Sequence, residues 1–175
     1  MDAGQGAAFV HGLKYEGWRR LAEPMGEAMS RLVWPADVEQ ERRAVVPIPL
    51  GTERQRERGF NQAECLARRM ARHWSCELWD DVLSRVRETA SQVRLTPSDR
   101  SINVSRAFAV PIAQRASLRG QHIVLVDDVV TTAATLNAAA EALLDGGARI
   151  ISCVTFGRAP DPGDRTVSDS DFTRM

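Results

Sequence analysis

With 175 residues, 43% of them hydrophobic, the chain is long enough to bury a core without disulfides or structural metals, and a single domain is the expected size class. Lys+Arg 23 against Asp+Glu 23 leaves no net charge, which excludes a whole-chain electrostatic case for nucleic acid or anionic membrane and leaves only local patches. Cys65, Cys76 and Cys153 form no C-x-x-C pair and no apolar run approaches the roughly 18 residues that span a bilayer, so the sequence predicts a soluble, cytoplasmic protein with inert thiols.

Residues 1–10 read as a flexible N-terminus, and "LKYEGWRRLAEPMGEAMSRLVW" carries apolar residues at helical intervals interrupted by Pro24. Two short helices are expected, the second opening near Pro24, with Trp18 and Trp34 as core anchors. "AVVPIPL" is too short for a helix and reads as a strand, and "GTERQRERG" after it as loop or hinge. "FNQAECLARRMARHW" restores the 3.6 period through Phe60, Cys65, Leu66, Met70 and Trp74, with arginines on the opposite face. Asn61 and Gln62 stand at its start, where ligand contact and helix capping are both open.

"DVLSRVR" is a further short strand, and "ETASQVRL" has no period of either kind. "TPSDRSIN" predicts a short helix capped by Thr96 with Pro97 in its first turn. "HIVLVDD", "AATLNAAAEALLDGGA" and "RIISCVTF" then form a strand, a helix stopped by Gly146 and Gly147, and a second strand. This βαβ unit predicts a parallel sheet covered on both faces. The domain is expected over 11–158, followed by a polar, flexible tail over 159–175.

In open parallel α/β sheets ligands sit beyond the carboxyl ends of strands, where the sequence places Asp127 and Asp128. The turn "VVTTAAT" leads from them into a helix, whose unpaired first amides favour an anion. Hydroxyls of Thr131, Thr132 and Thr135 can bond phosphate oxygens, and the carboxylates can accept from a vicinal diol or hold a hydrated Mg²⁺. These features describe a sugar phosphate with free hydroxyls. Neither a G-x-x-x-x-G-K-[ST] nor a G-x-G-x-x-G motif is present to suggest a nucleoside triphosphate or a dinucleotide.

"VLVDDVVTTAATL" resembles the phosphoribosyl pyrophosphate signature of type I phosphoribosyltransferases. "LKYEGWRRLAEPMG", "VVPIPLGTERQRERGFNQAECLAR" and "RVRETASQVRLTPSDRSINVSRAF" resemble one branch, the competence-protein ComF family, with "RERGFNQAE" the most branch-specific segment. The resemblance implies a Rossmann-like parallel sheet with a small flexible hood. In it Asp127 and Asp128 hold the ribose hydroxyls and Mg²⁺, and Val129, Val130, Thr131, Thr132, Ala133, Ala134 and Thr135 form the 5-phosphate turn. Arg54, Arg56 and Arg58 would face the pyrophosphate, and Arg87, Thr89 and Gln92 would close over the site.

The implied activity is binding of phosphoribosyl pyrophosphate, or a ribose 5-phosphate-like ligand, with transfer of the phosphoribosyl group to an unknown acceptor. The alternative within the same family is an accessory factor for DNA uptake, acting through single-stranded DNA or a competence helicase without turnover. ComF-like proteins commonly carry a four-cysteine zinc module before the first helices, for which this chain supplies no cysteines.

Type I phosphoribosyltransferases usually have glycine where this chain has Ala133. Alanine costs on the order of 1 to 2 kcal/mol at positive φ, so a helical φ/ψ, with Cβ turned from the ligand, is the expectation at that position. His11, His73 and His122 have no metal-binding spacing. Residues 39–72 hold eight arginines against five acids, which permits a basic rim beside the site that can serve pyrophosphate or single-stranded DNA.

Overall fold

The structure, a computed structural model, describes residues 19–86 and 107–159. Helix α1 (Arg19–Ser30) is followed by α2 (Ala36–Glu41), strand β1 (Arg42–Pro47), α3 (Thr52–Arg58), α4 (Gln62–Trp74) and β2 (Glu77–Leu78). Then come β3 (Ser84–Arg85), β4 (Phe108–Ala109), a 3-10 turn at Ile112–Gln114, α5 (Arg115–Leu118), β5 (His122–Val130), α6 (Ala134–Asp145) and β6 (Ile150–Arg158). Expectations for residues 1–10, Trp18, the segment with Arg87, Thr89 and Gln92, the helix at Pro97 and the tail from 160 lie outside the described residues.

The main sheet has strand order β2-β1-β5-β6, and all three pairings are parallel. Its faces separate cleanly by residue parity. Val45, Val124 and Val126 join Leu66, Ala67 and Met70 of α4 and Met25 and Met29 of α1 in one buried cluster. Ala44, Val46, Ile123 and Leu125 join Leu136, Ala139 and Leu143 of α6 in the other. Successive strand residues point to opposite faces, so continuous apolar strands are what a sheet with helices on both sides requires. This is the Rossmann-like parallel sheet that the sequence resemblance implies.

Two expected features differ. Pro24 lies inside α1 and does not divide two helices. Ala22, Met25 and Met29 form one buried stripe, and its packing on α4 carries the helix across the missing amide. The approach is close: a Cβ on Gly26 would stand 2.7 Å from Cβ of Arg69. The expected loop after β1 contains α3, with Gly51 as N-cap and Gly59, at φ 71°, as a left-handed C-cap. Thr52–Arg58 buries no residue, so it has no apolar period, but its Glu, Arg and Gln residues are strong helix formers.

Asn61 caps α4, its side chain accepting from the Ala63 amide at 3.1 Å. Ser75 ends the same helix in the left-handed region, at φ 52°. Glycine is the residue that adopts this conformation without a Cβ penalty. Ser75→Gly is therefore expected to stabilise the protein by about 0.5–1 kcal/mol, read as a higher denaturation midpoint with unchanged slope. Trp34 is part of the core as expected, meeting Trp74 edge-on at 5.5 Å.

His122 is buried at the start of β5 with Nε2 2.9 Å from the Ser152 hydroxyl. Burial holds its imidazole below its ordinary pKa, assisted by Arg149 and opposed by Glu41 and Asp37. A depressed imidazole pKa means that the unfolded chain takes up the proton first. This contribution to stability is complete above the ordinary imidazole value of about 6.5 and is lost as pH falls through the folded-state value. Melting temperature should decline on acidification from pH 7 to 5, and less so in His122→Asn.

Candidate functional site

The crevice forms where β1 leaves the sheet. Its ladder with β5 ends at Pro47 opposite Val126, and the Ile48 amide adds a last bond to the Val126 carbonyl at 2.9 Å. From β1 the chain crosses through α4 to β2, and from β5 it crosses through α6 to β6 on the other side. The carboxyl ends of β1 and β5 thus flank the topological switch point, the place where such sheets bind ligands.

Asp127 and Asp128 follow Val126 directly. They stand beyond the end of the β1 ladder, yet not at the end of β5, as the sequence suggests. Pairing with β6 continues through Val130 opposite Arg158, and the Ala159 amide bonds the Val130 carbonyl at 2.9 Å. The acids therefore project from a strand still held on one side. Asp127 Oδ1 accepts from the Asp128 amide at 2.8 Å, and Asp128 Oδ1 accepts from the Val129 amide at 2.7 Å. Asp128 is buried and Asp127 half-buried. Each carboxylate is thus oriented by the backbone before any ligand arrives.

Val129 and Val130 complete the strand, and the turn at Thr131, Thr132 and Ala133 leads into Ala134 and Thr135 at the start of α6. Thr131 and Thr132 are exposed, and Thr135 is half-buried. Ala133 is the N-cap of α6 at φ 57°, ψ 3°, in the left-handed region, with its carbonyl accepting from the Asn137 amide at 2.9 Å. The expectation of helical φ/ψ at this position is overturned. The turn needs a left-handed residue to swing the chain from strand to helix, and it obtains one despite the Cβ.

On the opposite wall, Arg54 and Arg56 of α3 are exposed and Arg58 is half-buried beside Gly59. Arg85, which the sequence reading passed over in favour of Arg87, ends β3 with its guanidinium 5.3 Å from the Phe108 ring centre. It also borders the α3 loop, since a Cβ on Gly51 would stand 3.9 Å from Arg85 Cδ. The antiparallel pair β3–β4 therefore brings a cation to the loop that holds Arg54, Arg56 and Arg58. Arg158 of β6, opposite Val130, is a second cation missed, on the strand paired with the one that carries the acids. Only the pairing of distant segments brings these two into place, and no local motif announces them.

The arginine face of α4 is largely neutralised. Arg68 pairs with Glu64 at 2.8 Å and approaches Asp80, while Arg69 reaches Glu23 and Glu27 of α1. The hydrogen bond that Arg68 donates to the Glu64 carboxylate raises the Arg68 pKa further, against a smaller desolvation cost. Outside this face, Arg43 pairs with Glu77.

For Mg²⁺, the described residues offer no cluster of three or more acids, histidines or cysteines. Mg²⁺ keeps several waters and takes one or two carboxylates plus substrate phosphate oxygens. Two backbone-oriented aspartates therefore fit an ion that arrives with a diphosphate. No helix among the described residues is long and apolar enough to cross a membrane.

Comparison with known proteins gives the family. The model of the phosphoribosyl transferase domain family matches residues 57–174. "DNA utilization protein YhgH" of Salmonella typhi is 39% identical over 108 residues, covering 61% of this chain and 45% of that protein. Its namesake in Escherichia coli K12 is 33% identical over 150 residues, 81% of this chain and 62% of that protein. "Competence protein ComFC" of Bacillus subtilis is 36% identical over 119 residues, 66% of this chain and 44% of that protein. The chain spans about half the length of the curated relatives it matches. A parallel sheet with an acid pair at its switch point, a family match over more than half the chain and these relatives together place the protein in the phosphoribosyltransferase domain family, in its ComF-like branch.

Proposed function

We propose that the chain binds phosphoribosyl pyrophosphate with Mg²⁺ in the crevice between β1 and β5, and that it can transfer the phosphoribosyl group to an acceptor. The observation that carries this reading is the backbone-oriented pair Asp127 and Asp128 at the switch point, followed at once by an anion-favouring turn and a 12-residue helix. The carboxylates accept from the ribose 2- and 3-hydroxyls. The start of α6 and the threonine hydroxyls hold the 5-phosphate. Arg58 and Arg85 approach the leaving diphosphate from the far wall.

Bound Mg²⁺ would neutralise diphosphate charge. The chain itself supplies orientation and fixed positive charge, which are the main sources of rate for departure of an anionic leaving group from a ribosyl carbon. The test is a calorimetric titration of phosphoribosyl pyrophosphate with and without Mg²⁺. Saturable binding that strengthens with Mg²⁺ supports the reading, and the absence of heat in both titrations overturns it.

The names of the relatives favour a role in DNA uptake or use as the cellular context. The ion pairs along α4 leave that helix a poor phosphate track, so a DNA contact belongs to the exposed Arg54 and Arg56 of α3. Such binding should weaken steeply with salt, because each neutralised phosphate releases counterions.

A further inference from the structure

Helix α4 buries one stripe against the sheet: Gln62, Ala63, Leu66, Ala67, Met70 and Ala71. Five of these are apolar. The sixth, Gln62, is 2% exposed, and its Nε2 finds no hydrogen-bond acceptor among the described residues. A buried, unsatisfied amide donor is destabilising, and an apolar side chain of the same shape would avoid that cost. Such a residue in a core stripe calls for a partner that the described residues do not supply.

Its location says what the partner is. Asn61 Nδ2 donates to the Ile48 carbonyl at 2.9 Å, and the Ile48 amide donates to Val126, the residue before the acid pair. Two hydrogen bonds thus fix the first turn of α4 to the floor of the crevice. Helical side chains lean towards the N-terminus, so the Gln62 carboxamide lies at the crevice end of its stripe. The first turn of this 13-residue helix adds the positive end of the dipole. The 5-phosphate turn belongs to the opposite wall, after β5, whereas the loop carrying Arg54, Arg56 and Arg58 leads directly into Gln62.

We infer that Gln62 is a ligand-binding residue whose carboxamide donates to an oxygen of the diphosphate group. This rests on the reading of the crevice as a phosphoribosyl pyrophosphate site and adds to it a determinant that separates the diphosphate from a bare sugar phosphate. The side chain gives up a satisfied core position in order to keep a donor for the ligand.

The test compares the parent with Gln62→Met, an apolar side chain of equal length, and with Gln62→Glu, which sets a carboxylate against the anion. Phosphoribosyl pyrophosphate and ribose 5-phosphate are titrated into each with Mg²⁺, and melting is measured on the same samples. Gln62→Met should melt at or above the parent, bind phosphoribosyl pyrophosphate about tenfold more weakly and bind ribose 5-phosphate unchanged. Gln62→Glu should lose more than tenfold, again selectively. Unchanged affinity for phosphoribosyl pyrophosphate in Gln62→Met, with or without a lower melting temperature, overturns the inference and leaves the crevice reading standing. Equal weakening for both ligands also overturns it, because it indicates a displaced helix start. A parent that binds neither ligand removes the crevice reading itself, and the Gln62 contact with it.

Discussion

Asp127→Asn combined with Asp128→Asn is expected to weaken phosphoribosyl pyrophosphate binding by at least a hundredfold and to leave folding cooperative. Asparagine keeps the Oδ1 atom that accepts from the next amide, so the backbone bonds at 2.8 and 2.7 Å survive the change. Two negative charges are lost, and with them the charge-assisted acceptance from ribose hydroxyls and the attraction for Mg²⁺. A hydrogen bond to a charged group contributes about 1.5–3 kcal/mol. Two such bonds account for at least about 2.8 kcal/mol, the hundredfold stated. Calorimetry on the double variant gives the affinity and a urea melt gives the cooperativity. Parent-like affinity would remove these residues from the site.

Ala133→Gly should act in the opposite direction. The observed φ of 57° is one that alanine occupies at a cost of about 1–2 kcal/mol. Glycine releases that strain and returns about 0.4–1 kcal/mol to the unfolded chain as entropy, leaving a net gain of about 0.5–1 kcal/mol. A domain of this length should then melt about 1–4 °C higher. Removing the Cβ also lets the turn approach a phosphate more closely, and ribose 5-phosphate affinity is expected to rise about tenfold. Gains in both measurements would identify the wild-type turn as a weakened phosphate cradle. A rise in melting temperature alone would show that strain and not access is what alanine costs here.

The fold was legible wherever burial imposed a period. Strand, helix and strand over 122–158 follow from an apolar run, an alanine-rich helix and a glycine stop, and each lies within two residues of its expected bounds. Helix α4 follows in the same way from Leu66, Met70 and Trp74. Elements that bury nothing were illegible, and α3, whose seven residues are all polar, is the clearest case. Within the site, local chemistry revealed the acid pair and the threonine turn. Arg85 and Arg158 enter through pairing with Phe108 and Val130, contacts that no window of neighbouring residues contains. At Ala133 residue preference pointed one way and the chain path the other, and the path prevailed.

The bond from the Ile48 amide to Val126 gives the crevice its own clock. A backbone proton trades with deuterated solvent only when its hydrogen bond opens, and this one spans the seam where β1 parts from β5. The neighbouring Val45 and Val46 lie inside the ladder and are sealed from solvent. Their protons time the opening of the sheet, while that of Ile48 times the parting of the floor beneath the two aspartates. The difference between the two rates measures how rigidly the protein holds its site in the absence of any ligand, in minutes or hours of isotope uptake at a single residue.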